Sequence, residues 1–293
     1  MTLLENALKK LQGQRSPQPV AKRGPSRRPA ADPGVRKKVS VDGPRHHVDQ
    51  KALESGGLLA PSGHGSPVTD EFRRIKRPLI ANALRSDGGA GRHGNVIMIT
   101  SPLPGAGKTF CSVNLAVSMS MERDINVLLV DADVAKPHIT RELGLVQSPG
   151  LIDLLAEDGV GVADVLVRTD LHDLQILPAG KSHPQATELL ASERMSRLVE
   201  ELATRYPDRL VLLDSPPLLV TSESQAIASI AGQIVMIVEA GKTSHQELTR
   251  AIELVGTDKA VNLVLNKSHA WGWLGGDYAG DYGYGYVYGQ ASD

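Results

Sequence analysis

The sequence predicts an α/β fold, a parallel sheet with helices on both faces, on three observations. From Val96 onward, short and continuously apolar Val/Ile/Leu-rich runs alternate with helical patterns, as strands buried on both faces require. The first run, Val96 to Ile99, enters a glycine-rich turn, Pro104-Gly105-Ala106-Gly107-Lys108-Thr109, and a helical pattern from Phe110 to Met121 leaves it. Two later runs end in aspartate, at Leu128-Leu129-Val130-Asp131-Ala132-Asp133 and Leu212-Leu213-Asp214-Ser215-Pro216-Pro217.

Taken in order, residues 2–12 read as a short amphipathic helix. Leu3, Leu4, Ala7, Leu8 and Leu11 form one stripe, and Thr2 with Glu5 makes a capping box. From 13 to 67 periodicity disappears. This stretch holds eight of the 18 prolines and ten Lys/Arg against four acids. Its apolar surface is too small to offset the ordering entropy, so a disordered basic linker is expected. Thr69 to Leu84 reads as a helix with Glu71, Arg74 and Arg77 three apart on one face. Pro78 is expected to kink or end it, because an interior proline costs about 3 kcal/mol.

The expected strands are then Val96–Thr100, Val127–Asp131, Leu174–Pro178, Leu210–Asp214, Ile234–Glu239 and Val261–Asn266. Helices are expected near Thr109–Met121, Ala186–Arg205, Ser222–Ala231 and Ser244–Gly256. Right-handed crossovers put all the strands' C-terminal ends on one edge of the sheet, where ligands bind. The domain organisation that follows is a helix at 1–12, a linker at 13–67, an α/β domain at 68–270 and a flexible tail at 271–293.

Composition narrows the function classes. A formal net charge of −1 gives the whole molecule no bias toward nucleic acid or membrane, although the 13–67 stretch is locally basic. One cysteine, Cys111, excludes an intrachain disulfide framework and fits a reducing compartment. No apolar run reaches the roughly 18–20 residues that span a bilayer, and no signal peptide is visible, so the expected location is cytoplasmic.

The chemistry is concentrated at the strand ends. A loop of the form found here wraps backbone N–H groups around phosphate oxygens at a helix N-terminus, with Lys108 reaching the β/γ-phosphates and the Thr109 hydroxyl on Mg²⁺. Pro102 stands where the pattern G-x-x-x-x-G-K-[ST] has its first glycine. The nucleotide is expected along Pro104 to Phe110, making this a P-loop NTPase-type fold. Mg²⁺ takes oxygen ligands from one or two carboxylates plus phosphate, a role that suits Asp131 and Asp214; the bland alternative for these aspartates is capping of the following helix. Asn266-Lys267, ending the last strand, are candidates for meeting the nucleotide base. The tail holds five of the six tyrosines, Tyr278, Tyr282, Tyr284, Tyr286 and Tyr288, interleaved with glycine. Such a segment packs little, leaving a base-stacking surface or a multi-site phosphoacceptor. It contains no Lys or Arg and carries Asp277, Asp281 and Asp293, which argues against nucleic acid.

These residues together resemble the bacterial protein-tyrosine kinase (BY-kinase) family, and most closely its standalone cytoplasmic autokinases of exosortase-linked exopolysaccharide loci. The resemblance covers about 66–293. It implies that Lys108 and Thr109 are the Walker A pair, Asp131 and Asp133 the Walker A′ acids and Asp214 the Walker B acid, with ATP and Mg²⁺ as cofactors. Lys108, Asp131, Asp133 and Asp214 are then the catalytic set, with Asp133 accepting the phenolic proton or orienting the acceptor. Glu71, Arg74 and Arg77 match the family's E-x2-R-x2-R helix, which joins subunits into a ring so that one tail enters a neighbour's site. Implied partners are further copies of the chain, a membrane chain-length co-polymerase with a cytoplasmic activating segment that holds the protein peripherally at the inner membrane, and a cognate tyrosine phosphatase. Where family members often carry Arg, two residues after the second A′ aspartate, this chain has Ala135 followed by Lys136. That departure keeps open a nucleotide-binding pseudokinase. The other alternative, a ParA/MinD-like ATPase switch, expects a signature lysine where Leu103 stands and gives the tyrosine tail no role.

Overall fold

The computed structural model describes residues 45–59, 67–84, 93–172, 174–205, 209–256 and 259–268, all within the unit Asp42–Asp293. The helix expected at 2–12 and the tail at 271–293 lie outside the described residues. Seven strands form one sheet: β1 (Val96–Thr100), β2 (Asn126–Asp131), β3 (Val167–Arg168), β4 (Gln175–Leu177), β5 (Arg209–Asp214), β6 (Gln233–Glu239) and β7 (Ala260–Asn266). Their order across the sheet is β3-β4-β2-β5-β1-β6-β7, parallel throughout except that β3 runs antiparallel to β4.

The alternation of Cβ directions along each strand divides the apolar runs between two cores. Ile97, Ile99, Leu129, Leu212 and Ile237 face α1 (Gln50–Ser55), α2 (Pro67–Ala83), α3 (Lys108–Ser120) and α4 (His138–Glu142). Met98, Leu128, Val130, Leu213 and Met236 face α5 (Leu151–Ala156), α6 (Val162–Val165), α7 (Ala186–Leu190), α8 (Glu193–Arg205), α9 (Ser222–Ile230) and α10 (His245–Val255). β1 and β5 are buried at every residue. That is why these strands read as unbroken hydrophobic runs.

Strand order decides what meets at the edge. The chain leaves β1 through α3, skips one strand to form β2, and later inserts β5 between the two. Ile99 therefore pairs with Asp214, and Asp214 with Asp131. The glycine-rich turn and both aspartate-ended strands become immediate neighbours.

Four local differences from the sequence reading have physical causes. The helix α2 continues through Pro78 to Ala83. Pro78 is on the exposed side while Phe72, Lys76 and Leu79 are buried, so burial holds the helix on both sides of the lost hydrogen bond. The helix expected over 186–205 is two, because Ser192 lies between α7 and α8 and its hydroxyl accepts the Met195 N–H at 3.3 Å. The two-residue β3 and the short α4–α6 are below the length at which periodicity registers.

The fourth difference is the largest. Residues 45–59, read as part of a disordered linker, are folded. Asp49 caps α1 by accepting the Ala52 N–H, and His46 bridges to Thr169 beside β3. The Asp170 carboxylate accepts the Val48 N–H at 2.9 Å and contacts His47 Nδ1 at 2.6 Å. Val48, Leu53 and Leu59 enter the core beside α3, and Asn114 Nδ2 donates to the Leu58 carbonyl at 3.1 Å. The average composition of 13–67 hid a short segment with enough apolar anchors to offset its ordering entropy.

Leu53 is 4% exposed. Leu53→Ala is expected to lower the unfolding free energy by about 2–4 kcal/mol in a urea titration. A change within about 0.5 kcal/mol, as at a surface site, would show that the segment is not part of the cooperative fold.

Candidate active site

The turn after β1 is shaped by two left-handed glycines, Gly105 at φ 88° and Gly107 at φ 90°. Gly107 is the N-cap of α3 and supplies no side-chain acceptor. The N–H groups of the first turn of α3 have no side-chain cap, at the end of the helix that carries partial positive charge.

The loop is latched to the segment after β5. The Thr100 hydroxyl donates to the Pro216 carbonyl at 3.0 Å, and the Ser215 hydroxyl to the Ile99 carbonyl at 2.9 Å. The carbonyls of Ser101 and Pro102 accept the N–H groups of Leu218 and Leu219. Pro102, the residue that breaks the sequence pattern, thus lies in this latch and not in the turn from Pro104 to Thr109.

Behind the loop sit two buried carboxylates. Asp131 Oδ2 accepts both the backbone N–H of Thr140, at 2.8 Å, and its hydroxyl, at 2.7 Å. The same hydroxyl oxygen accepts the Ala179 N–H. Asp214 Oδ1 accepts the Ser112 hydroxyl at 2.8 Å. Asp131 Oδ1 and Asp214 Oδ2 are buried without a hydrogen bond of acceptable geometry. Burial pushes the Asp131 carboxyl up to about 7; the charges of Asp214 and Asp133 add to this, while the Thr140 donors oppose it. Burial likewise raises Asp214 to about 6, against the opposing effects of the Thr109 and Ser112 hydroxyls and Lys108.

Lys108 and Asp133 complete the set. Burial lowers the Lys108 ammonium while Asp214 and Asp133 hold it up; Lys136 adds to the lowering. Burial raises Asp133, opposed by Lys108, the Lys136 N–H, His138 and the Lys136 charge. Lys108, Thr109, Asp133 and Lys136 line a cavity of about 550 Å³, within the size range of ligand sites. Its walls come from the glycine turn, from Pro216-Pro217 and, unexpectedly, from Gly56, Gly57 and Leu58.

The donor set suits a hard cation. A hydroxyl on Thr109 and two buried carboxylate oxygens lacking protein partners match the oxygen ligands Mg²⁺ prefers. Among the described residues no three His, Cys, Asp or Glu side chains form a group that could hold a metal ion.

The other expected residues fall as follows. Pro104, Gly105, Gly107 and Phe110 line the cavity, whereas Ala106 is buried in the loop. The Phe110 ring stacks against Phe72, with centroids 6.0 Å apart. Asn266 does not line the cavity; its amide is bonded to the loop backbone. Glu71, Arg74 and Arg77 are exposed on α2, away from the cavity lining. The tail tyrosines lie outside the described residues. Thr140, Ser112 and the Gly56–Leu58 wall had no sequence signal, since each reaches the site only through tertiary packing.

Comparison with known proteins agrees with this geometry. The family model described as an AAA domain matches residues 94–267, more than half of the chain. Tyrosine-protein kinase YwqD of Bacillus subtilis is 31% identical over 186 residues, covering 61% of this chain and 77% of YwqD. Tyrosine-protein kinase Wzc of Salmonella typhimurium is 32% identical over 247 residues, covering 83% of this chain but 32% of the longer relative. Among solved structures, the BceF tyrosine kinase domain superposes with a TM-score of 0.58 at 29% identity, over 73% of this chain and 86% of that one.

Both buried carboxyls have folded-state values above the ordinary carboxylate value of 3.8. Between about pH 4 and pH 7 the fold therefore retains protons that the unfolded chain has lost, and ligand-free stability must fall as pH rises through that window. Asp131→Asn and Asp214→Asn remove a buried charge. Each is expected to melt higher than wild type without ligand at pH 8, by at least about 3 °C, with the difference shrinking at pH 4. Calorimetry showing equal melting at both pH values would overturn this assignment.

Proposed function

The chain belongs to the bacterial protein-tyrosine kinase family, and from that premise we propose that it is an ATP-dependent tyrosine autokinase. One observation carries the reading: Asp131 and Asp214 end adjacent strands beside the glycine turn, and at the same sheet edge Lys108, Thr109 and Asp133 line a cavity of about 550 Å³. Phosphoryl transfer needs little covalent chemistry from a protein. It needs positioning and compensation of negative charge.

Each group has a role in those terms. The loop N–H groups and Lys108 hold and neutralise the phosphates of ATP. Thr109, Asp131 and Asp214 would hold Mg²⁺, directly or through water, and the ion would supply positive charge against the phosphate oxygens. The acceptor phenol attacks the γ-phosphorus, the bond to the ADP oxygen breaks, and Asp133 takes the phenolic proton. The raised proton affinity of Asp133 suits it to that exchange. Lys136 lines the same cavity. It supplies a cation where the family often has Arg, as a point charge instead of a bidentate fork, and this favours an active kinase over a pseudokinase despite Ala135.

The acceptors are Tyr278, Tyr282, Tyr284, Tyr286 and Tyr288, phosphorylated in trans by a neighbouring copy. The exposed row Glu71, Arg74 and Arg77 joins copies into a ring. Each phosphotyrosine adds about −1.5 to −2 charge, so several on one tail loosen the assembly and make phosphorylation a switch of oligomeric state. The process under control is exopolysaccharide synthesis and export, through a membrane co-polymerase with an activating segment, and a tyrosine phosphatase resets the tail. The co-polymerase supplies the attachment to the inner membrane; no described helix is long and apolar enough to cross it.

Incubation with labelled ATP followed by anti-phosphotyrosine detection tests the proposal. Lys108→Met is expected to cut incorporation by about 10²-fold or more; an undiminished rate would remove the catalytic claim. A chain with all five tail tyrosines changed to Phe is expected to lose nearly all label, and full labelling would instead put the acceptors elsewhere.

A further inference from the structure

The glycine turn is held from a second side by residues outside the cavity lining. Glu239 closes β6 and Asn266 closes β7, directly opposite each other in register. Asn266 Nδ2 donates to the Ala106 carbonyl at 2.8 Å. Lys267 Nζ donates to the Gly105 carbonyl at 2.6 Å and to Glu239 Oε1 at 3.2 Å. Lys242 Nζ also meets Glu239 Oε1, at 2.8 Å. Glu239 is 7% exposed, so a buried carboxylate anchors two ammonium groups, one of which reaches the loop.

The approach is close. A Cβ on Gly107 would lie 2.3 Å from Asn266 Nδ2, so the amide can occupy its place only because residue 107 is glycine. Lys267 itself adopts φ 58°, a left-handed conformation that non-glycine residues rarely take without compensating contacts.

We infer that Asn266, Lys267 and Glu239 form a positioning clamp that orients the phosphate loop. In a planar trans peptide the C=O and the following N–H point in opposite directions. Drawing the carbonyls of Gly105 and Ala106 toward β7 therefore turns the N–H groups of Ala106 and Gly107 the other way, into the concave side of the turn that receives phosphate. Left unpinned, either peptide could flip and present a carbonyl oxygen to an anion. The clamp rests on the nucleotide reading of the loop. It reassigns Asn266, whose amide nitrogen serves the loop backbone and not the base.

That assignment makes a sharp distinction among ligands. A residue that reads the base affects ATP alone, whereas one that sets the loop affects any triphosphate equally. The experiment is calorimetric titration of the full chain with Mg-ATP, Mg-GTP and inorganic tripolyphosphate. Asn266→Ala and Lys267→Met are each expected to weaken ATP and tripolyphosphate by the same factor, roughly tenfold, as for loss of one strong hydrogen bond. Lys267→Arg, which keeps a donor in reach of Gly105, is expected to recover most of the loss. The Lys267 side chain is 46% exposed, and unchanged ligand-free melting temperatures separate loop orientation from general damage. Loss confined to ATP, with tripolyphosphate binding intact, would overturn the clamp in favour of base recognition. Wild-type affinity for all three ligands in both variants would overturn it outright. A wild-type chain that binds none of the three would remove the nucleotide reading and the clamp together.

Discussion

Two carboxylates buried side by side at the ends of β2 and β5 are the constraint on which the site depends. Charges removed from water are costly unless paired, and here Asp131 Oδ1 and Asp214 Oδ2 have no hydrogen bond of acceptable geometry, although the Thr109 hydroxyl lies close enough to Asp214 to favour its charge. The Lys108 charge favours ionised Asp214, and burial in turn lowers the Lys108 ammonium. The fold thus holds two buried carboxyls whose ionisation burial opposes. Each residue supporting Asp131 and Asp214 also limits how they can relax: Thr140 engages Oδ2 of one, Ser112 engages Oδ1 of the other. The oxygens left over have fixed positions.

The sheet order makes that arrangement possible. With β1 between β5 and β6, the loop that follows β1 can be held from both sides. Residues after β5 latch its entry, from Ile99 to Pro102, while the ends of β6 and β7 hold its tip, from Gly105 to Gly107. Neither support reaches into the cavity with a flexible side chain of its own. The loop is rigid where it must present N–H groups, and the adaptable groups, Lys108, Asp133 and Lys136, project from its rim and from the neighbouring turn. Preorganisation of this kind is what electrostatic stabilisation of a transferring phosphoryl group requires.

Much of this was readable from the chain because its signals are local. The buried strands are contiguous apolar runs, Gly105 to Thr109 is a contiguous motif, and Asp131 and Asp214 end the runs they belong to. What escaped was made by packing between distant segments. Thr140 lies nine residues beyond Asp131, on a helix of five residues, and nothing in its neighbours marks it. Asn266 drew notice by its position at a strand end, but position could not foresee that its amide bonds to the Ala106 carbonyl. Residues 45–59 were hidden by averaging. Two or three leucines and one capping aspartate do not alter the composition of a proline-rich stretch, yet they suffice once β4 and α3 offer a surface to cover.

The same logic of shared contacts ties the exposed face of α2 to the site. Phe72 stacks on Phe110, one residue past Thr109, and the buried Lys76 donates to the Ser118 carbonyl in the last turn of α3 and pairs with Glu122 just beyond it. α2 therefore contacts both ends of α3. Lys76 sits where a cation favours a helix C-terminus. Glu71, Arg74 and Arg77 project from the opposite side of α2, interleaved with these buried contacts at a spacing set by the helical turn. The outer row and the buried contacts thus share one helix, and α2 is tied to α3 at two points, Phe72 against Phe110 and Lys76 at Ser118.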